Sequence, residues 1–311
     1  MKNVIPEIDR NLLIQELNDD TFIRRTNNGN KEIFVVTNQN APNVIQEIGR
    51  LREITFREAG GGTAKEVDID QYDIEENPFK QLVVWDPEHK AIVGGYRYKE
   101  GCEILRTESG KPNTPTSHLF CFCDSFIKDY LPVTIELGRS FVQPNYQPNY
   151  DLRKGLYSLD NLWDGLGYLT VDYPYVEHFF GKITMYPSFN SEARDYILFF
   201  LNLYFKDTKD WITANFPLSY QHDETVLGAL FVGGDYLKDY KALNHKVRSL
   251  GENIPPMVNS YMNLSPTMKV FGTSVNERFG NVEETGILIH IKDIYPRKKD
   301  RHINNIIRER I

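Results

Sequence analysis

The chain has 311 residues, 41% hydrophobic and 25% charged, with a formal net charge of −7 at pH 7. That length permits one large domain or two ordinary ones, with ample apolar material for a core, and the negative balance argues against general nucleic-acid binding. Three cysteines, Cys102, Cys121 and Cys123, are too few for a disulfide framework and suggest a reducing compartment. The N-terminus MKNVIPEIDRN lacks the apolar run of a signal peptide. The longest apolar stretch, YILFFLNLYF (196–205), is shorter than the about 20 residues a bilayer span needs, so any membrane role is peripheral.

In chain order, residues 6–18 read as a short amphipathic helix and KEIFVVT (31–37) as a strand. Asn43 and Gln46 mark a helix start, after which Val44, Ile45, Ile48 and Leu51 fall at helical spacing. That helix carries Arg52 and Phe56 and ends at Gly60–Gly62. The GGGT sequence follows a helix and precedes no GK[ST], so it is not by itself a phosphate loop. An acidic run, EVDIDQYD (66–73), comes next; QLVVWD and KAIVGGYRY then read as a hairpin turning at Pro87 and Glu88. Residues 100–131 read as irregular.

IELGRSFVQP (135–144) reads as a strand ending at Pro144, but Glu136, Gly138 and Arg139 do not suit a plain core strand. Glu136 and Gly138 share one face and Arg139 the other. A bulge permitted by Gly138 would bring the two charges closer. The stretch is either a functional site or an edge strand with solvated charges.

After a polar connection, NYQPNYDLRKG, Ser158 caps a helix whose Leu159, Leu162, Trp163, Leu166 and Leu169 form one apolar face. KITMY (182–186) is a strand, and Ser191 caps the helix holding YILFFLNLYF. Residues 206–255 resemble an insertion, PPMVNSYMNL a helix, MKVFGTSV and ETGILIHIKDI two final strands, and PRKKDRHINNIIRER a basic tail. Hairpins mixed with crossovers point to a mixed α/β sheet.

No GxSxG, HExxH, Rossmann or Walker pattern is present, nor a His-x4-Asp signature. His118, Cys121 and Cys123 lack the second pair of a zinc site and read as packed or semi-buried thiols, so no metal is expected. What remains is charges at strand and helix ends: Arg52, Asp70, Asp73, Arg97, Glu136 and Arg139.

LREITF (51–56), EVDIDQYD (66–73), VGGYR (93–97) and ELGRSFVQPNY (136–146), in this order, resemble the GNAT-superfamily N-acyltransferases that make acyl amino-acid lipids. The ornithine-lipid and glycine-lipid synthases, often labelled hemolysins, are the nearest; acyl-homoserine-lactone synthases share a shorter form. The similarity runs through LDNLWDGLGYL and FFGKITMYPSFNSEAR to the final strands, roughly residues 40–295.

The resemblance implies a single GNAT-like domain over 1–311, with its core in about 30–187 and 255–295, an insertion over 206–255 and a tail over 296–311. It implies a long-chain acyl donor on acyl carrier protein, or acyl-CoA, as phosphopantetheine co-substrate, with no bound cofactor. The donor arm would add to Ser140, Phe141 and Val142 like an extra strand. Its phosphate would meet Arg153, Lys154, Gly155 and the helix starting near Ser158, LRKGLYS being a partial form of the pyrophosphate loop of CoA-dependent relatives. Glu136 is the candidate base that takes a proton from the acceptor amine. Arg139 and Arg97 would fix Glu136 or bind the acceptor carboxylate. Asp70 and Asp73 would bind the acceptor ammonium or hold Arg52, with Phe56 beside them; a purely structural ion-pair network is the alternative. The expected partners are acyl carrier protein, a glycine- or ornithine-type acceptor and an anionic membrane surface at the inner face of the cytoplasmic membrane. Rival readings are an acetyl-CoA-dependent acetyltransferase, an acyl-homoserine-lactone-type synthase and a non-enzymatic membrane-active protein.

Overall fold

The computed structural model describes residues 1–306; residues 307–311 of the basic tail lie outside the described residues. The chain runs α1 (Arg10–Glu16), β1 (Phe22–Arg25), β2 (Glu32–Val36), α2 (Pro42–Glu58), α3 (Gln71–Ile74), β3 (Lys80–Asp86), β4 (Ala91–Glu100), β5 (Phe120–Phe122) and β6 (Thr134–Val142). It continues with α4 (Leu152–Gly155), α5 (Ser158–Asp172), β7 (His178–Met185), α6 (Ser191–Phe205), β8 (Ile212–Ala214), α7 (Glu224–Gly228) and α8 (Tyr236–Ser249). Last come α9 (Pro256–Met262), β9 (Lys269–Asn276), β10 (Val282–His290) and α10 (Pro296–His302). The architecture is mixed α/β, as the element order predicts. Two compact units divide the chain: Met1–Ile104 with Pro132–Glu177 and the residues from Pro296, and Leu105–Leu131 with His178–Tyr295.

In the first unit, antiparallel strands run in the order β1-β2-β3-β4-β6. Val44, Ile45, Ile48, Leu51 and Phe56 of α2 are buried, which fixes the helix by its apolar stripe. The start of α2 differs from expectation. Pro42 is its first residue, and the cap comes from another helix: the Glu16 carboxylate of α1 accepts from Asn43 N (3.1 Å) and Val44 N (2.9 Å). Further along, a Cβ at Gly49 would meet Val67 Cγ2 at 2.5 Å, so only glycine lets segment 66–69 lie against α2. Asp68 N donates to Gly49 O (3.1 Å), which brings the Asp68 side chain into the core.

α5 packs on β3 and β4, where Tyr96 Oη donates to Leu162 O. Ser158 does not cap it: Ser158 is its first helical residue, and its hydroxyl donates to Lys154 O (3.2 Å). The short turn α4 precedes it, so Asp151 is the capping side chain here, accepting from Arg153 N and Lys154 N (both 3.0 Å). The tail is partly helical. α10 docks on α5 through His302, whose Nδ1 lies 2.8 Å from Asp164 Oδ1, and through Arg301, 2.7 Å from Asp160. A Cβ at Gly167 would sit 1.9 Å from His302 O.

In the second unit the antiparallel order is β7-β10-β9, and β5 pairs with β8. Asn190, not Ser191, caps α6, accepting from Glu192 N and Ala193 N. α6 carries Phe200 and Tyr204 into an aromatic cluster with Phe231, Tyr236 and Tyr240, so the 206–255 segment shares the core of this unit. Cys121 is exposed rather than packed, because β5 turns Phe120 and Phe122 inward and the residue between them outward.

A candidate active site around a bulged strand

The bulge in β6 is present, but its left-handed residue is not the glycine. Pairing with β4 jumps from Gly95–Phe141 to Arg97–Gly138, so Arg139 and Ser140 stand opposite Tyr96 alone. Arg139 has φ 52°, an uncommon conformation for a residue with a Cβ. It is held there by charge: Arg139 Nε lies 2.9 Å from Asp68 Oδ2, and Asp68 is buried. The middle of β6, from Leu137 to Ser140, is half-buried, while Phe141 is buried.

Glu136 is 2% exposed and pairs across the strands with Lys99, while Gly138 pairs with Arg97. Directly opposed residues of an antiparallel pair share a face, so Glu136, Lys99 and Arg97 project from the same side. Arg97 is buried and grips Asp70 with both terminal nitrogens (Nη1–Oδ1 2.8 Å, Nη2–Oδ2 2.9 Å); Nη1 also reaches Asp73 Oδ2 (3.0 Å). Asp70 and Asp73 form the capping box of α3, so the helix start and the Arg97 clamp are one construction. Arg52 of α2 donates to Asp73 Oδ1 (3.3 Å) and to Gln81 Oε1, and Gln81 Nε2 donates to Asp73 Oδ1 (2.9 Å).

The electrostatics follow from this packing. Burial works to raise the Asp73 carboxyl, but Arg97, Arg52 and the Asp70 N–H outweigh it and hold it below the usual carboxylate range. Burial also works against the Arg97 charge, and Asp73 and Asp70 overcome it, so Arg97 is held above its ordinary value. Arg52 goes the other way: burial lowers it, and Arg97 and Arg139 add repulsion. Burial raises Asp68 despite Arg139. The result is a largely buried lattice in which positive and negative side chains alternate.

The expected acceptor residues Arg52, Asp70, Asp73 and Arg97 therefore come together, with Glu136 and Arg139 on the adjoining strand and Phe56 buried in α2. Arg97 spends its hydrogen bonds on Asp70 and Asp73, and Arg139 is paired to Asp68, where the sequence had suggested the acceptor carboxylate or Glu136. Among the expected donor residues, Arg153 is exposed, Lys154 lies 5.8 Å over the Tyr146 ring, and Gly155 and Ser158 are buried. Lys154 also lines a cleft of about 440 Å³ with Arg50, His89, Gln143 and Tyr146, beyond the end of β6. A cleft of about 590 Å³ in the second unit, lined by Phe199, Leu203, Tyr220 and Phe271, holds none of the expected residues.

Residues 51–153 match the family model of an acetyltransferase (GNAT) domain. The glycine N(alpha)-acyltransferase of Phocaeicola vulgatus is 53% identical over 309 residues, covering 99% of this chain and 95% of the relative. The enzyme of the same name from Bacteroides thetaiotaomicron is 53% identical over 307 residues, covering 99% and 91%. The chain belongs to the glycine N(alpha)-acyltransferase family. It is an N-acyltransferase with a GNAT fold.

Two solved structures of the CoA-dependent acyl-homoserine lactone synthase BjaI are also similar to this glycine N(alpha)-acyltransferase family member. The one with SAM and isopentyl-CoA has TM-score 0.30 and 14% identity over 49% of this chain and 65% of the other. The one with MTA has TM-score 0.37 and 10% identity over 89% and 88%. Among the described residues of this family member, no helix is long and apolar enough to cross a membrane.

Two members of the charge lattice, Asp68 and Gln81, carry little signal in the sequence. Asp68 sits in the acidic run, and its signal was the alternation Val67-Asp68-Ile69 on either side of a residue that Arg139 needs. Gln81, at the start of the VVW strand, has no signal beyond its place next to an apolar run.

Proposed function

We propose that the protein transfers a long-chain acyl group from an acyl carrier protein thioester to the amino group of glycine, in the synthesis of an acyl amino-acid lipid. The observation that carries the glycine acceptor is the 53% identity, over 99% of this chain, to enzymes named for glycine acylation; the carrier-protein donor and the lipid product follow from the resemblance of its motifs to lipid N-acyltransferases. The charge lattice beside Glu136 supports it. Glycine arrives as an ammonium and must lose a proton before its nitrogen attacks. Glu136, buried next to the half-buried stretch Leu137–Ser140 of β6, takes that proton directly or through a water. The nitrogen then bonds to the thioester carbonyl carbon, the C–S bond breaks, and the sulfur leaves as thiolate and takes up the second proton, which the nitrogen sheds as the amide forms. Asp70, whose side chain is 27% exposed, is the outward carboxylate of the lattice and suits the incoming ammonium. The bulge frees the β6 backbone from β4 only at Arg139 and Ser140, Phe141 and Val142 remaining paired with Gly95 and Gly94, and the pantetheine amides would pair at that opening. The donor phosphate falls to Arg153, Lys154 and Gly155, ahead of α5. The work is done in the cytoplasm, with peripheral contact at the inner membrane face.

The test is reconstitution. Purified protein, hexadecanoyl-loaded acyl carrier protein and isotopically labelled glycine should give labelled N-hexadecanoylglycine by mass spectrometry, with ornithine a much poorer acceptor. Preference for ornithine would overturn the acceptor; use of acyl-CoA alone would overturn the donor.

A further inference from the structure

Most exposed apolar side chains on a protein surface occur singly. Here four fall within eight consecutive residues, YDLRKGLY: Tyr150 is 59% exposed, Leu152 72%, Leu156 60% and Tyr157 38%. Arg153 and Lys154 stand between them. The one acid of the stretch, Asp151, is turned back on the backbone N–H groups of Arg153 and Lys154, so it caps the turn and leaves the two cations dominant. α10 adds Arg297, Lys298 and Lys299 beside the first turns of α5, against one acid of its own, Asp300; Arg301 is spent on Asp160, and with His302–Asp164 it anchors the helix there. On a chain of net charge −7, this is a local reversal of sign around an apolar centre.

We infer that segment 150–157 is the docking surface for the body of the acyl carrier protein, Leu152 and Leu156 forming its apolar centre and Arg153, Lys154 and the α10 cations its rim. The inference rests on the carrier-protein donor proposed above. A carrier protein is attached to its acyl arm through the phosphate, so its body begins where that phosphate leaves the enzyme. With the phosphate at Arg153, Lys154 and Gly155, the surface just outside is this segment. Charge points in the same direction: carrier proteins are acidic and this chain carries a net −7, so a local cationic patch is needed to offset the overall repulsion. An apolar centre inside a polar rim is the usual anatomy of a protein–protein contact.

The test uses Leu152→Ser combined with Leu156→Ser in the full chain. Both side chains are largely in water, so the thermal midpoint should hold. Three probes are compared: hexadecanoyl-loaded carrier protein, hexadecanoyl-pantetheine thioester, and vesicles of equal parts phosphatidylglycerol and phosphatidylcholine. The expected result is a KM for the loaded carrier raised about tenfold, equivalent to about 1.4 kcal/mol, with kcat, the pantetheine thioester kinetics and vesicle binding unchanged. An equal loss with both thioesters would overturn the inference in favour of a role inside the donor site. Loss of vesicle binding with an unchanged carrier KM would overturn it in favour of a membrane surface. No change in any of the three would also overturn it. An unsubstituted enzyme that ignores loaded carrier protein and uses only acyl-CoA refutes the donor reading itself, a result visible before any substitution is made.

Discussion

Replacing Asp73 with alanine tests whether the charge lattice holds the first unit together. The carboxylate accepts from four donors: Arg52 Nη1 at 3.3 Å, Arg97 Nη1 at 3.0 Å, Gln81 Nε2 at 2.9 Å and Asp70 N at 3.1 Å. It is 1% exposed, so water does not replace it without a cavity opening. Removing one partner of a buried ion pair costs about 3–5 kcal/mol. Arg97 keeps its two-pronged bond to Asp70, whereas Arg52 loses its charged partner and keeps Gln81, so a loss near 3 kcal/mol is expected. Asp73→Asn preserves volume and one acceptor oxygen; its loss should be smaller, about 1.5–3 kcal/mol. Urea denaturation followed by fluorescence gives the stabilities, and steady-state kinetics give the KM for glycine, which should rise in both variants as Asp70 and Arg97 lose their brace. An Asp73→Ala protein within about 0.5 kcal/mol of the parent would refute the reasoning, because it would mean the two arginines need no buried counter-charge.

Glu136→Gln keeps size but cannot take a proton; acyl transfer should fall at least a hundredfold, roughly the contribution of a general base, in a protein that still folds with a comparable melting temperature. Activity near the parent level would remove Glu136 from the chemistry. For pH, Asp73 is held below its ordinary value of 3.8, so its stabilisation is fully present above about pH 4 and is lost as pH falls through the depressed folded-state value. The stability gap between the parent and Asp73→Asn should therefore shrink on acidification below pH 4, and a gap that widens there would contradict the ion-pair account.

The elements legible in the sequence are those with one dominant period or break. The apolar stripe of α2 and the β3–β4 hairpin lie within about a residue or two of where their patterns place them. Helix starts were less legible, because the capping group is not always local in sequence. Glu16 caps α2 from another helix, and no inspection of 41–46 could show it. β6 shows a subtler limit. Glycine is the least strained residue in a left-handed bulge, so the sequence points to Gly138, yet a long-range ion pair to Asp68 holds Arg139 there instead. The site behaves alike. Charges inside apolar strands are conspicuous, which is why Arg97, Glu136 and Arg139 stood out, but pairing is three-dimensional: which aspartate meets which arginine depends on Gly49 admitting the 66–69 segment.

The docking of α10 on α5 has a consequence for biosynthesis. Asp164 and its partner His302 are 138 residues apart, so at about 5–20 residues per second roughly 7–28 s pass between their emergence from the ribosome. Through that interval the α10-facing side of α5 is uncovered, and the whole of the second unit is made before the first can be closed. A nascent chain stalled before residue 296 would carry Trp163 and Asp164 without their covering helix, a ready substrate for chaperones or proteases.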